Sequence, residues 1–188
     1  MSLPQNITGI VLAGGQSSRM GQEKASLLWK GKRLVDYAVE TLSPLCKELF
    51  ISSNNPDLIV NNLEILPDGY RGIGPIAGIE AGLSRASNEI CIVVSCDTPL
   101  LPTKMFQYML QEHQDFDISL AAHEGINEPM IGIYSKRVYP VIREAIGNGE
   151  NKPPTIIRMN RWQEINIHPN LNFYSADMFR NLNRPEDL

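Results

Sequence analysis

The sequence predicts an α/β fold: a doubly wound, mostly parallel (Rossmann-like) sheet with helices on both faces. Three observations carry this expectation. Ile7–Leu12 (ITGIVL) and Ile90–Ser95 (ICIVVS) are short, nearly continuous apolar runs rich in β-branched residues, the pattern of strands buried on both faces. Between these runs, apolar residues recur at helical spacing. Strand and helix alternate along the chain, as they do in βαβ units with right-handed crossovers.

Taken in order, residues 7–12 read as a central strand followed by a glycine-bearing loop. Leu34, Ala38, Leu42 and Leu45 then share one face of a helix. Residues 49–53 and 63–66 are shorter strands, and Ile76, Ile79 and Leu83 mark the next helix. After the strand at 90–95, Met105, Tyr108 and Met109 line a helix that follows Pro102, and 118–122 reads as a strand. Past Asp115 the rhythm changes: 131–134 and 163–167 read as strands, 137–146 as a helix, and 123–129 and 147–154 as polar loops. These later pieces are read as a lobe serving a second substrate. With 188 residues and no repeat or long linker, a single domain over 1–188 is expected, one able to bury roughly 70% of its unfolded surface.

Composition narrows the function. A net charge of -4 argues against a dedicated nucleic-acid binder. Cys46, Cys91 and Cys96 are odd in number and form no CxxC pair, so neither a disulfide framework nor a zinc site is expected. The opening MSLPQN lacks the features of a signal peptide, and no run reaches the ~18 apolar residues of a membrane span. A cytoplasmic protein that neither enters a membrane nor binds nucleic acid follows. His113, His123 and His168 are scattered without metal-ligand spacing and read as surface or core residues.

Against this acidic background, Arg19, Lys24, Lys30, Lys32 and Arg33 cluster with Glu23 as the only acid among them. The cluster is either a solvated surface or a pocket for a small anion. The stretch VLAGGQSSRMGQEK favours the pocket, because it follows the first strand and so stands at the carboxyl edge where α/β sheets gather ligands. Its glycines let backbone N–H groups approach, and Arg19 and Lys24 offer charge-assisted contacts to phosphate. It is neither a P-loop, since five residues separate Gly15 from Gly21, nor a GxGxxG dinucleotide fingerprint.

The stretch does resemble the LAGGxSxRMGxxK signature of nucleotidyltransferases, most closely the molybdenum cofactor guanylyltransferases. Pro67-Asp68, GIGPIAGI from Gly72, CDTPLL from Cys96, EPMIGIY from Glu128 and FRNLNRPEDL from Phe179 resemble that family's later landmarks in the same order. The resemblance implies a fold of the nucleotide-diphospho-sugar transferase type, with a nucleotide-binding half at 1–115 and an acceptor-binding half at 116–188. It implies nucleotide contacts from Leu12, Ala13 and the Gly14-Gly15 backbone, from Lys24 and Arg19 at the phosphates, and from Asn54 and Asp68. Asn181 and Asn183 match the asparagines beside the acceptor.

Asp97, directly after a buried strand, is expected at the same edge, and one carboxylate with substrate phosphates is the usual way of holding Mg2+. Competing local readings are a turn or cap for Asp97, a turn for Asn54 and Asp68, a helix N-cap for Asn183, and close packing for Gly78 and Gly82. The implied reaction is Mg2+-dependent transfer of GMP from GTP to the terminal phosphate of molybdopterin. The implied setting is cytoplasmic, with transient contact to other molybdenum cofactor biosynthesis proteins. Glu23, where relatives often carry Asp, and the stretch from Asn148 to Pro154, more basic in relatives and here with Lys152 as its only cation, depart from the family pattern. A cytidylyltransferase of the same cofactor, another small-acceptor nucleotidyltransferase, or a nucleotide-binding regulatory protein are the alternatives.

Overall fold

The computed structural model describes residues 6–14, 24–182 and 187. The chain opens with β1 (Ile7–Leu12), a short ribbon of β2 (Leu28–Trp29) and β3 (Lys32–Arg33), and α1 (Leu34–Leu42). It continues through β4 (Glu48–Ser52), β5 (Glu64–Leu66), α2 (Pro75–Arg85), β6 (Ile90–Ser95) and α3 (Thr103–Glu112). Then come β7 (Ile118–His123), β8 (Ile126–Ser135), α4 (Tyr139–Gly147), α5 (Pro153–Arg158) and β9 (Trp162–Asn166). No helix among the described residues is long and apolar enough to cross a membrane.

Seven strands form one sheet in the order β5-β4-β1-β6-β8-β7-β9. β8 pairs antiparallel with both neighbours, and every other adjacent pair in the sheet is parallel. All six residues of β1 are buried, as a nearly continuous apolar run requires of a strand covered on both faces, and the one polar side chain, Thr8, is hydrogen-bonded to Glu48. Two cores result. Val35 and Leu42 of α1 and Met105, Phe106 and Met109 of α3 pack on one face. Ile76, Ile79 and Leu83 of α2, with Ile142 of α4 and Ile156 of α5, cover the other.

Three expectations need correction. Residues from β7 onward are not a separate lobe, because β8 hydrogen-bonds directly to β6 and carries the sheet onward to β7 and β9. The polar stretch at 123–129 is mostly strand: Glu124 and Gly125, both at positive φ, make a tight hairpin turn, and β8 begins at Ile126. There β8 pairs only with β7, and Pro129 falls at a register shift, where a missing N–H costs the ladder nothing. The loop at 147–154 closes into α5, since Pro153 occupies a first-turn position that needs no amide hydrogen.

Chain order around the sheet sets the location of a site. From β1 the chain moves outward to β4 and β5, then returns to the other side of β1 as β6. In open α/β sheets the carboxyl ends of the strands at such a reversal are where ligands bind. Register levels that edge: Leu12 lies beside both Ser52 and Ser95, and Ser52 lies beside Leu66.

Candidate active site

Asp97 emerges two residues beyond β6 and is only 8% exposed. Its Oδ1 accepts a hydrogen bond from the Ser95 hydroxyl (2.6 Å), and its Oδ2 lies 3.1 Å from Lys24 Nζ. The carboxylate is thus aimed by the strand end on one side and faces a cation on the other. Lys24 opens a single helical turn, Lys24–Ser26, whose Ala25 is anchored in the core. The main-chain oxygen of Asp97 accepts from Leu182 N–H (2.8 Å), which brings Asn181, one residue earlier, to the same edge.

Across β1, a second carboxylate is built on the same plan. Asp68 Oδ1 accepts from the Ser52 hydroxyl (3.0 Å), and Asp68 Oδ2 accepts from Asn54 Nδ2 (2.7 Å). The Asp68 amide in turn donates to Asn54 Oδ1 (2.9 Å), so Asn54 clasps Asp68 from both ends of its amide. The local Asx turn belongs instead to Asn55, whose Oδ1 accepts from Asp57 N–H (2.9 Å). Beneath Asp68, the largely buried Glu80 has a raised pKa, chiefly because burial disfavours its charge and also because Asp68 repels it. Arg143 and a hydrogen bond with Tyr139 act in the opposite direction.

The turn after β1 offers backbone rather than side chains, since Leu12 and Ala13 are buried. Ala13 N–H donates to Ser52 oxygen (2.9 Å) and Leu12 oxygen accepts from Cys96 N–H (3.1 Å), locking the turn to both neighbouring strands. Gly14 follows in the open. The close-packing reading holds for two glycines of α2. A Cβ on Gly78 would stand 2.4 Å from Ser52 Oγ and 3.0 Å from Leu12, and one on Gly82 would stand 2.6 Å from Ile10. The helix therefore presses directly on the strands that carry the site. At its start Gly74 takes φ 86°, a conformation that suits glycine, ahead of Pro75.

Of the sequence-predicted residues, Leu12, Ala13, Gly14, Lys24, Asn54, Asp68, Asp97 and Asn181 meet at one edge of the sheet. Gly15, Arg19 and Asn183 lie outside the described residues. The basic cluster divides. Lys32 pairs with Glu40 (2.7 Å), Arg33 grips Asp36 with two nitrogens at 2.8 Å, and Lys30 sits over the Trp29 ring. These three serve the surface of α1 and the ribbon, which corrects the reading of the whole cluster as an anion pocket. Sequence reasoning passed over Ser52 and Ser95. Each is the last residue of its strand and stands two residues before a site residue, Asn54 or Asp97, and that position is the signal in the sequence.

No group of three or more His, Cys, Asp or Glu residues suited to a metal is present among the described residues. What the edge offers is one aimed carboxylate next to a lysine, and a second carboxylate held by an amide, on either side of a backbone turn. The lysine and the backbone turn can meet the charge of an anionic ligand, and the carboxylates and the amide can accept or donate hydrogen bonds to its polar groups, a set that an α/β protein acting on nucleotides could use.

Comparison with known proteins gives the family. Residues 9–165 match the model of the MobA-like NTP transferase domain, and the chain belongs to that family. It is 35% identical over 188 residues to a Carboxydothermus hydrogenoformans protein named "Probable molybdenum cofactor guanylyltransferase", covering 97% of this chain and 93% of that one. Among solved structures, the Archaeoglobus fulgidus molybdopterin-guanine dinucleotide biosynthesis protein A superposes with a TM-score of 0.80 at 23% identity, covering 96% and 94% of the two chains. The 2-C-methyl-D-erythritol 4-phosphate cytidylyltransferase of Thermus thermophilus superposes with a TM-score of 0.73 at 13% identity, covering 97% and 95%. These likenesses establish a nucleotide-diphospho-sugar transferase type of fold.

Proposed function

We propose that this protein transfers GMP from GTP to the terminal phosphate of molybdopterin, forming molybdopterin guanine dinucleotide and releasing pyrophosphate. The observation that carries the reading is the meeting of Asp97, Lys24 and the Asn54–Asp68 clasp at one edge, in a chain that shares 35% identity with a relative of that name over nearly its full length. In the reaction, a phosphate oxygen of molybdopterin attacks the α-phosphorus of GTP. A new P–O bond forms, the α–β bridging bond breaks, and pyrophosphate leaves with the electron pair. No covalent intermediate with the protein is needed, so positioning and charge stabilisation do the catalytic work.

In this reading the backbone of Leu12, Ala13, Gly14 and Gly15 receives the nucleotide, and Asn54 and Asp68 hold it from the β4–β5 side. Lys24, with Arg19, lies against the phosphates and spreads the charge that develops as the bridging bond breaks. Asn181 and Asn183 orient the acceptor, in the half of the chain from residue 116 onward. Asp97 suits Mg2+: Ser95 fixes its direction, its second oxygen faces a lysine that can move onto phosphate, and one protein carboxylate with phosphate oxygens is a common magnesium donor set. Bound there, Mg2+ supplies charge neutralisation to the triphosphate. We place the reaction in the cytoplasm, with other molybdenum cofactor biosynthesis proteins as transient partners.

Calorimetric titration with GTP, CTP, ATP and UTP in Mg2+ tests the assignment. GTP is expected to bind most tightly, and less tightly to Asp97→Asn. Preference for CTP would move the reading to the cytidylyltransferase, and binding without pyrophosphate release in the presence of molybdopterin would indicate a regulatory nucleotide-binding protein.

A further inference from the structure

The stretch from Ile167 to Leu182 lies beyond the last strand and crosses the face covered by α1 and α3. It forms no helix or strand, and a series of reverse turns shapes it, among them Met178 N–H to Ser175 oxygen (3.0 Å) and Arg180 N–H to Asp177 oxygen (2.9 Å). Turns of this kind fix local shape, while burial of Ile167, Met178 and Phe179 in the core holds the segment to this face. Two further contacts flank Asn181. Leu182 is 1% exposed among Leu27 and Leu34, and its amide donates to Asp97 oxygen. Three residues earlier, the Phe179 ring stacks on His123, with centroids 4.0 Å apart and planes inclined by 6°.

His123 is itself held. It ends β7, and its Nε2 lies 3.1 Å from Glu128 Oε1 across the hairpin, the ring N–H donating to the carboxylate. Glu128 lies opposite Ala121 on the adjacent strand. The imidazole is therefore a flat platform fixed by its own strand and by a hydrogen bond in its plane. Arg180 and Asn181 are the only residues between these two contacts, so the stack that orients the buried Phe179 and the Leu182 amide bear most directly on where Asn181 meets the carboxyl edge.

We propose that His123 is a positioning residue: by stacking on Phe179 it sets the placement of Asn181 beside Asp97, and with it the alignment of the acceptor. This rests on the reading of Asn181 as an acceptor contact. Its effect is expected mainly on the acceptor, because the Asn54–Asp68 clasp and Lys24 are on other elements and Asp97 meets the segment at Leu182, whose own burial holds it. Misplacement of a reacting group by about 1 Å can cost up to about a hundredfold in rate.

The test compares His123→Ala with His123→Phe in the full chain. With GTP saturating, His123→Ala is expected to lower kcat/KM for molybdopterin by about tenfold or more, with the Kd for GTP within about twofold of the parent protein. His123→Phe, which keeps a flat ring, is expected to restore most of that loss. A loss in His123→Phe as large as in His123→Ala would overturn the proposal, since it would show that a flat ring against Phe179 does not suffice to place Asn181. Unchanged acceptor kinetics in His123→Ala, or an equal loss of GTP affinity, would overturn it too. The Asn181 backbone amide provides a readout independent of turnover: its NMR resonance is expected to shift in His123→Ala and return towards the parent position in His123→Phe, and an unmoved resonance in His123→Ala would refute the positioning role. If the parent protein yields no product from molybdopterin, the proposed function fails while the NMR comparison still decides the placement of Asn181.

Discussion

Carboxylates at the two ends of the same sheet are held in opposite ways. At the amino end, Glu48 accepts from the Thr8 hydroxyl, the Ser87 amide (2.7 Å), the Ser87 hydroxyl (2.9 Å) and the Asn88 side-chain amide (3.1 Å). All of these donors sit on strand ends or a tight connection, and none has a long stem. At the carboxyl end, Asp97 has one fixed donor in Ser95, and its other oxygen faces the ammonium of Lys24 on a four-carbon stem. A carboxylate saturated by short, rigid donors stabilises the fold. One that shares an oxygen with a long, partly exposed cation can exchange that partner for a ligand, and this difference separates architecture from function at two ends of one sheet.

The sharpest way to break the comparison is at Asp97. Asp97→Asn keeps the volume and an acceptor for Ser95, so the protein is expected to stay folded while pyrophosphate release falls by about two to three orders of magnitude. Near-normal release would remove Asp97 from the reaction. Lys24→Ala is expected to cost about a hundredfold in the same assay, because the phosphates lose their cation. Asp68→Asn disturbs the clasp with Asn54 and is expected to weaken GTP binding by about tenfold, the worth of one charge-assisted hydrogen bond, as read by calorimetry.

At the amino end the readout changes. Glu48→Gln is expected to lower stability by about 1–3 kcal/mol, seen as a Tm several degrees lower, with turnover unaltered. A loss of activity larger than the loss of stability would erase the distinction between the two ends. The mildest expected effect is on pH dependence. Burial pushes the Glu48 pKa upward, but the Thr8, Ser87 and Asn88 hydrogen bonds outweigh it and leave the pKa below the ordinary 4.5. The folded state thus holds its proton more weakly than the unfolded state, so this stabilisation is complete above about pH 4.5 and declines as pH falls through the folded pKa. Denaturant titrations at descending pH should show a shallower decline for Glu48→Gln.

How much of this was legible in the sequence differs along the chain for physical reasons. β1 and β6 are legible because a strand covered on both faces is mostly apolar along its length, with Thr8 and Ser95 satisfied by carboxylates. The polar first half of β8 was hidden for the opposite reason: only β7 pairs with it, so Asn127, Glu128 and Pro129 are tolerated there. Pro153 and Pro154 suggested a loop, yet a proline at the start of a helix loses nothing. At the site, Asp97 and Lys24 were legible through charge and position, and Asp68 through the family resemblance. Ser52 and Ser95 were not singled out, since a small hydroxyl at the end of an apolar strand looks like a terminator. Their contacts depend on which carboxylate the fold brings within reach, and the stack of His123 on Phe179 is invisible in the sequence because the two residues are far apart along the chain.

The most direct test of the central claim is pyrophosphate release from GTP by the purified protein in Mg2+, with and without molybdopterin. The account expects release that requires both substrates and falls by at least about a hundredfold in Asp97→Asn. Release that proceeds equally in Asp97→Asn, or GTP binding with no release when molybdopterin is present, would contradict a transferase site at this edge of the sheet.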